Sequence, residues 1–292
     1  MMTKSYITLL LLLFLLAACG NSAPAGMPPT TTAPAERQRL RLITLPGIAT
    51  SGLLAELLSA FEEQHPVQVA VTAVSLSEAL VLGENSAADL LLLPAGTRVD
   101  GFVQAGHGLT WQPVLSGDLV LVGPAVDPAG VRGMPSAAEA CKAIADTRTP
   151  FLAPGAGSFL QQRVQTLWEQ VRITPTPEMA WYRVAEAEPG ALLPAAAAQS
   201  AYTLTERAGY LARQDALPNL AILVGGDSLS ANPDPTLRVQ YGVIPINLER
   251  HPDARLALAE TFAAWLTSAE TQARIAEFGH ERYGQPVFVP EM

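Results

Sequence analysis

Ala201-Tyr202-Thr203-Leu204-Thr205-Glu206-Arg207-Ala208-Gly209-Tyr210-Leu211 reads as a strand that meets a helix with almost no loop. A short apolar run with β-branched alternates ends at Thr205. A helical run begins at once, with Glu206 at its start and Tyr210 and Leu211 as its apolar positions. Orphan backbone N–H groups and the positive end of the helix dipole gather at such a junction. Arg207 adds a full positive charge there, so the place suits a small anion. The same arginine also reads as an exposed helix charge paired with Glu206 or a neighbour.

Upstream, strands and helices alternate. Leu40 and Leu42 alternate with Arg39 and Arg41 in a strand that runs to Leu45. A helix from about Ser51 to Gln64 carries Leu53, Leu54, Leu57, Leu58 and Phe61 on one face. Val67, Val69 and Val71 form the next strand. Ser75 and Glu78 then stand at capping-box spacing before a short helix. Leu90 to Leu93 and Leu119 to Val122 are continuous apolar runs, as expected of strands covered on both faces.

At Gly123-Pro124 the chain starts afresh. Ser136 and Glu139 open a helix, Phe151-Leu152 is a strand, and Leu160, Val164, Leu167, Trp168 and Val171 line one helix face. An alanine-rich helix at Leu192 to Gln199, the opening junction and a strand at Leu220 to Val224 follow. A Gly-, Asn- and Pro-rich passage, Gly225 to Pro235, leads to Tyr241-Gly242-Val243-Ile244. In the helical C-terminus, Pro252 suits a first-turn position. Leu256, Phe262, Trp265 and Leu266 form an apolar face, and Thr267 with Glu270 makes a further capping box. The pattern predicts an α/β fold of two doubly wound lobes joined by two crossing segments. Lobe one combines 40–124 with 240–292, lobe two is 125–239, and a ligand cleft lies between them at strand ends and helix starts.

The 292 residues are 49% hydrophobic, enough for a sizeable core. A net charge of −9 argues against a nucleic-acid backbone as partner but not against an anion in a pocket with its own local field. Residues 1–18 read as a targeting segment: Lys4 is followed by an apolar core, Ile7 to Leu16, too short to span a bilayer. Leu16-Ala17-Ala18-Cys19 resembles the bacterial lipoprotein signal, with cleavage before Cys19 and lipid on its thiol. Residues 19–39, Pro-, Thr- and Ala-rich in large part, then act as a tether. Cys141, the other cysteine, has no intrachain partner and reads as an inert buried thiol. His65, His107, His251 and His280 show no ligand spacing, and no zinc motif, P-loop, dinucleotide fingerprint or nucleophile elbow is present. The sequence calls for no metal and no cofactor.

Ser51-Gly52-Leu53-Leu54, Ala88-Asp89-Leu90-Leu91, Val122-Gly123-Pro124 with Asp127-Pro128-Ala129, the opening junction, and Trp265-Leu266-Thr267-Ser268 with Phe278-Gly279 together carry a resemblance. From about Leu40 to Pro290 the chain resembles the solute-binding lipoproteins of ABC importers. Within them it is similar to the tungstate-binding branch, of the type II periplasmic binding protein kind. The resemblance implies a monomeric, hinge-closing binding protein without catalytic activity, anchored outside the cytoplasm by its lipid, which delivers an oxyanion to a membrane permease.

Departures from the family's pattern fall where the ligand is expected. The family's first-strand Thr-Thr-Thr-Ser run is Thr44-Leu45-Pro46-Gly47 here, so Thr44 alone keeps its hydroxyl. A Gly-Thr-Gly is Ser75-Leu76-Ser77. A Ser-Arg-Gly-Asp is Ala153-Pro154-Gly155-Ala156, with Pro154 in place of an anion-facing arginine, while Ser158 matches a family serine. A Gly-Gln-Gly-Met is Glu186-Ala187-Glu188-Pro189, and residues are inserted between Asn232-Pro233 and Tyr241. Of the family's two anion-facing arginines, Arg207 remains, and the resemblance makes it an anion contact.

The expected cleft residues are Arg207, Thr44, Ser51, Ser75, Ser77 and Ser158, with Ser51 and Ser77 also readable as plain N-caps. Three functions follow: an oxyanion-binding importer component; a relative whose pocket has moved to another small ligand, or which senses or docks; and a hydrolase using Ser75, Ser77 or Ser158. The last has no recognisable histidine and acid motif behind it.

Overall fold

The computed structural model describes residues 37–185 and 190–291. The targeting segment, Cys19, nearly all of the tether, and Glu186 and Glu188 lie outside the described residues. Strand β1 (Gln38–Thr44) leads into helices α1 (Pro46–Thr50) and α2 (Leu53–Gln64), then β2 (Val67–Ala73), α3 (Leu76–Glu84), β3 (Leu90–Pro94) and α4 (Thr97–Gln104). The long β4 (Gln112–Pro124) is followed by α5 (Ala137–Thr147), β5 (Phe151–Ala153), α6 (Phe159–Gln170), β6 (Tyr182–Val184) and α7 (Leu192–Gln199). The junction is β7 (Thr203–Glu206) with α8 (Arg207–Leu211). Then come β8 (Leu220–Val224), β9 (Arg238–Pro245), α9 (Leu256–Leu266), α10 (Ala269–Glu277), α11 (His280–Tyr283) and β10 (Val289–Pro290).

The fold is α/β, and its main sheet is mixed. β2, β1 and β3 run parallel; β9 lies antiparallel to β3 and β4, and β10 antiparallel to β4. All five residues of β3 are buried, which explains its unbroken apolar run. β4 is 13 residues long, and its two parts have different neighbours. Gln112 to Asp118 pair with β9, whereas Leu119 to Pro124 pair with β7 and β8. One strand therefore carries ladder bonds for the N-terminal sheet and for the middle of the chain. β5 pairs with β6 in parallel, and Phe151 bridges to Tyr202 just before β7.

Several local expectations shift by a few residues. Leu45 leaves the strand to become the N-cap of α1, a short helix that Pro46 starts and that periodicity missed. α2 begins at Leu53 because Gly52, with φ 95°, takes the left-handed N-cap that a side chain would resist. Glu206 both ends β7 and serves as the N-cap of α8, so it stands at the helix start as read, without a side-chain cap bond. Pro252 lies in a turn, and the following helix begins only at Leu256. The last capping position is Ser268, whose side chain accepts from the Thr271 amide, not Thr267. The boxes at Ser75 and Ser136 form as read, each serine accepting from the amide of Glu78 or Glu139.

Asp89, at the mouth of β3, ties the N-terminal sheet to the C-terminal helices. Its buried carboxylate accepts from the Arg41 amide (2.8 Å), the Arg41 guanidinium (2.7 Å) and the Arg255 amide (3.0 Å). Burial alone would raise this carboxyl; the donors from Arg41 and Arg255 outweigh it and hold Asp89 below its usual range. A depressed carboxylate stabilises the fold above the unfolded range and loses that contribution as pH falls. Asp89→Ala should therefore cost about 2–4 kcal/mol in urea unfolding at neutral pH. The gap to wild type should narrow as pH drops below about 4.

Candidate functional site

The cavity that gathers the most predicted residues lies where α1, α3, α6 and β7 converge. Leu45, Pro46 and Gly47 come from the start of α1, and Ser75 and Leu76 from the start of α3. Pro154, Gly155, Ala156, Ser158, Phe159 and Leu160 come from the start of α6, with Gly190, Leu192 and Glu206 completing the wall. Its volume is about 110 Å³, small beside the roughly 300–1,000 Å³ of drug-sized ligand sites.

Two helix N-termini face this space. Ser75 caps α3 by accepting from the Glu78 amide at 3.3 Å, and Ser158 caps α6 by accepting from the Gln161 amide at 3.1 Å. In that geometry each hydroxyl proton is left to donate elsewhere. Pro46 opens α1 without an N–H, so Gly47 supplies the first amide on that side. Across the rim, Ser77 donates from its backbone (3.2 Å) and its hydroxyl (3.0 Å) to the Gly157 carbonyl. Arg98 donates to the same hydroxyl at 3.0 Å. Gly157 has φ +79°, and a Cβ there would sit 2.8 Å from the Ser77 oxygen, so this contact needs a glycine.

The six predicted residues part company. Ser75 and Ser158 line the cavity, and Ser77 bridges its rim. Thr44 is buried, donating to the Leu92 carbonyl at 2.9 Å. Ser51 is buried at the turn between α1 and α2, donating to Ile48 (2.8 Å) and accepting from the Leu53 amide (3.2 Å). Arg207 has no exposed surface. Its guanidinium grips Asp118 through Nε (2.9 Å) and Nη2 (2.8 Å) and donates to the carbonyls of Gly225 (2.6 Å) and Gly226 (3.0 Å). Asn232 adds a bond to the same carboxylate at 2.8 Å. Four of its five N–H groups are thus engaged inside the protein.

The residue that sequence reasoning missed is Glu206. It is 91% buried, and its carboxyl forms part of the cavity wall without a hydrogen bond from any other described residue. A Cβ at Gly47 would collide with that carboxyl, so glycine is what allows the close approach. Burial pushes the carboxyl up from its ordinary range, against a smaller opposing pull from its own backbone N–H. The signal was its place at the carboxyl end of a strand, where α/β ligand sites form. His107 and His251 also meet, Nδ1 to Nε2 at 3.2 Å, with Ser86 on the other ring nitrogen of His251 at 2.8 Å; they lie outside the cavity wall. No cluster of three or more metal-ligating side chains occurs among the described residues.

Residues 47–270 match the family described as PBP superfamily domain. The chain belongs to the PBP superfamily. Tungstate-binding protein TupA of Peptoclostridium acidaminophilum is 33% identical over 284 residues, which is 97% of this chain and 95% of that one. Among solved structures, the tungstate-binding protein TupA from Desulfovibrio alaskensis G20 aligns with a TM-score of 0.69 at 34% identity. That alignment covers 87% of this chain and 99% of the other. The tungstate ABC transporter structure from Geobacter sulfurreducens gives a TM-score of 0.74 at 32% identity, over 82% and 98% of the two chains.

Within this PBP superfamily fold the Arg207–Asp118 pair predicts a large coupling. Arg207→Met leaves Asp118 buried without its cation and should cost about 3–5 kcal/mol in urea unfolding. A double-mutant cycle with Asp118→Ala should return about 3 kcal/mol of coupling, where an exposed pair would return under about 1.

Proposed function

We propose that this chain is the extracytoplasmic solute-binding component of an ABC importer, and that it takes a small, tungstate-like oxyanion into the cavity between α3 and α6. The observation that carries this reading is the meeting of two capped helix N-termini, with the Ser75 and Ser158 hydroxyls, in one small space. Each helix end presents amides that lack partners within the helix, and its dipole favours negative charge. The family relationship and the tungstate-binding relatives support the same choice.

In this reading the chain closes as two lobes, 40–124 with 240–292 and 125–239, that share β4. α1 and α3 then offer one wall of the cleft and α6 the other, and the Ser77–Gly157 bonds hold the rim shut. The protein binds and hands over its ligand to a permease without catalysing a reaction. Among the described residues no histidine lines the cavity beside Ser75 or Ser158, so the histidine that a Ser-His arrangement needs is not among its wall residues. Arg207 serves this site indirectly, by fixing the junction that carries Glu206.

A second ligand class has one observation in its favour. Leu45, Leu76, Pro154, Phe159, Leu160 and Leu192 make much of the wall apolar, which suits a small organic acid. A thermal-shift panel of tungstate, molybdate, sulfate, phosphate and small organic acids separates the two. A true ligand at about a hundred times its dissociation constant should add roughly 2.7 kcal/mol. Ser75→Ala and Ser158→Ala should each weaken oxyanion binding by about tenfold or more through a lost charge-assisted bond. Each should cost the unliganded fold only about 1 kcal/mol as a lost cap. Stabilisation by an organic acid alone would favour the second class.

Placement completes the proposal: cleavage before Cys19 and lipid on its thiol would anchor a monomer through the Pro-, Thr- and Ala-rich tether. No helix among the described residues is long and apolar enough to cross a membrane. Mass spectrometry of the membrane fraction should find a mature chain beginning at a lipidated Cys19; an intact Met1 there would refute it.

A further inference from the structure

We propose, resting on the oxyanion reading above, that Glu206 is the specificity-determining residue of the cavity: the site takes its oxyanion together with one proton, held between the Glu206 carboxyl and a ligand oxygen.

The reason is charge. Among the described residues lining the cavity, Glu206 is the one with an ionisable side chain. The cations packed nearby are committed or turned away. Arg207 is held by Asp118 and the carbonyls of Gly225 and Gly226. Arg213 is committed to the Gly190 carbonyl at 2.9 Å; it lines an adjoining cavity whose wall also includes Glu206, and it is absent from the wall of the site itself. Arg163 lies over the Phe159 ring, its guanidinium carbon 5.1 Å from the centroid, and lines a separate depression. α1 brings Gly47 against the carboxyl and no charge. From β4 comes Asp118, already paired, and from β9 the buried Tyr241, whose hydroxyl is pushed up by burial and by Glu206 itself.

A dianion beside an ionised Glu206 would meet like charge at close range with little water between them, and helix amides alone do not offset that. One proton removes the conflict. A protonated carboxyl donates an O–H···O bond to the anion, and an anion that brings its own proton donates to the carboxylate; the complex is the same. The apolar wall and the missing partner on Glu206 suit the neutral acid in the empty site, and burial shifts it that way. Once Glu206 has lost its proton, binding must draw one from solvent. Affinity for a fixed dianion then falls as pH rises, by up to about tenfold per pH unit.

The test uses sulfate, molybdate and tungstate as probes, each over the neutral-to-alkaline range in which it stays a monomeric, fully deprotonated dianion. Isothermal calorimetry of the whole chain at several pH values, in buffers of differing ionisation enthalpy, gives affinity and proton uptake together. Wild type should lose affinity toward high pH and take up close to one proton per anion there. Glu206→Gln keeps a donor of the same shape but no titration, so it should bind the same anions with a flat pH profile and no uptake. Should the variant fail to fold, proton uptake by the wild type alone decides. Oxyanion binding with a flat profile and no proton uptake in the wild type would overturn this proposal and leave the oxyanion reading standing. A Glu206→Gln protein that keeps the wild-type slope would do the same. Failure of every oxyanion to bind at any pH would overturn both.

Discussion

Arg207 and Asp118 form an ion pair with no exposed side-chain surface, and moving two charges out of water costs several kcal/mol each before any contact is made. What makes the burial tolerable is full coordination. Asp118 accepts from the Nε and Nη2 groups of the guanidinium, Nε reaching both carboxylate oxygens, and from Asn232, and the guanidinium's remaining contacts go to the Gly225 and Gly226 carbonyls. Both glycines have positive φ, +120° and +69°, and a Cβ on either would strike Val120 or Ala231. A tight turn thus aims two carbonyls at one cation. The pair fastens β4, the β7–α8 junction and the 225–232 passage to a common point.

That anchor decides the chemistry next door. With Arg207 held toward β4, its neighbour Glu206 faces the other way, into the space beside Gly47. The stretch that offers a positive charge in the sequence therefore presents a carboxyl to the cavity. Positive potential there comes instead from backbone amides at the starts of α3 and α6, fixed in place by the Ser75 and Ser158 caps. On the reading proposed above, such a site is weaker toward bare dianions than one built on free arginines, and sharing a proton with Glu206 makes it selective.

β4 explains how helices far apart in sequence share that space. Its 13 residues pair with β9 along the first part and with β7 and β8 along the rest. Elements before it and after it are carried on one continuous backbone. The contact from Ser77 to Gly157, 80 residues apart, is short because of this arrangement.

Much of the architecture was legible before folding, because the signals were local. Continuous apolar runs at Leu90 to Leu93 and Leu119 to Val122 gave buried strands, and Ser-x-x-Glu at Ser75 and Ser136 gave helix starts. Short-range preferences depend on residues a few positions apart. Ser75, read as a cap, lines the cavity because a cap marks a helix end, whereas Ser158 was singled out by its match to a family serine. The partner of Arg207 was not legible, since Asp118 lies 89 residues away and nothing near either residue announces the other. Which way Glu206 faces was likewise hidden. A charge at a strand-to-helix junction is compatible with solvent, with an ion pair or with a ligand, and its own sequence neighbourhood favours none of them. Only long-range packing, by occupying Arg207 and leaving a gap beside Gly47, made the choice, because electrostatic roles are set by what lies within a few ångströms in space rather than along the chain.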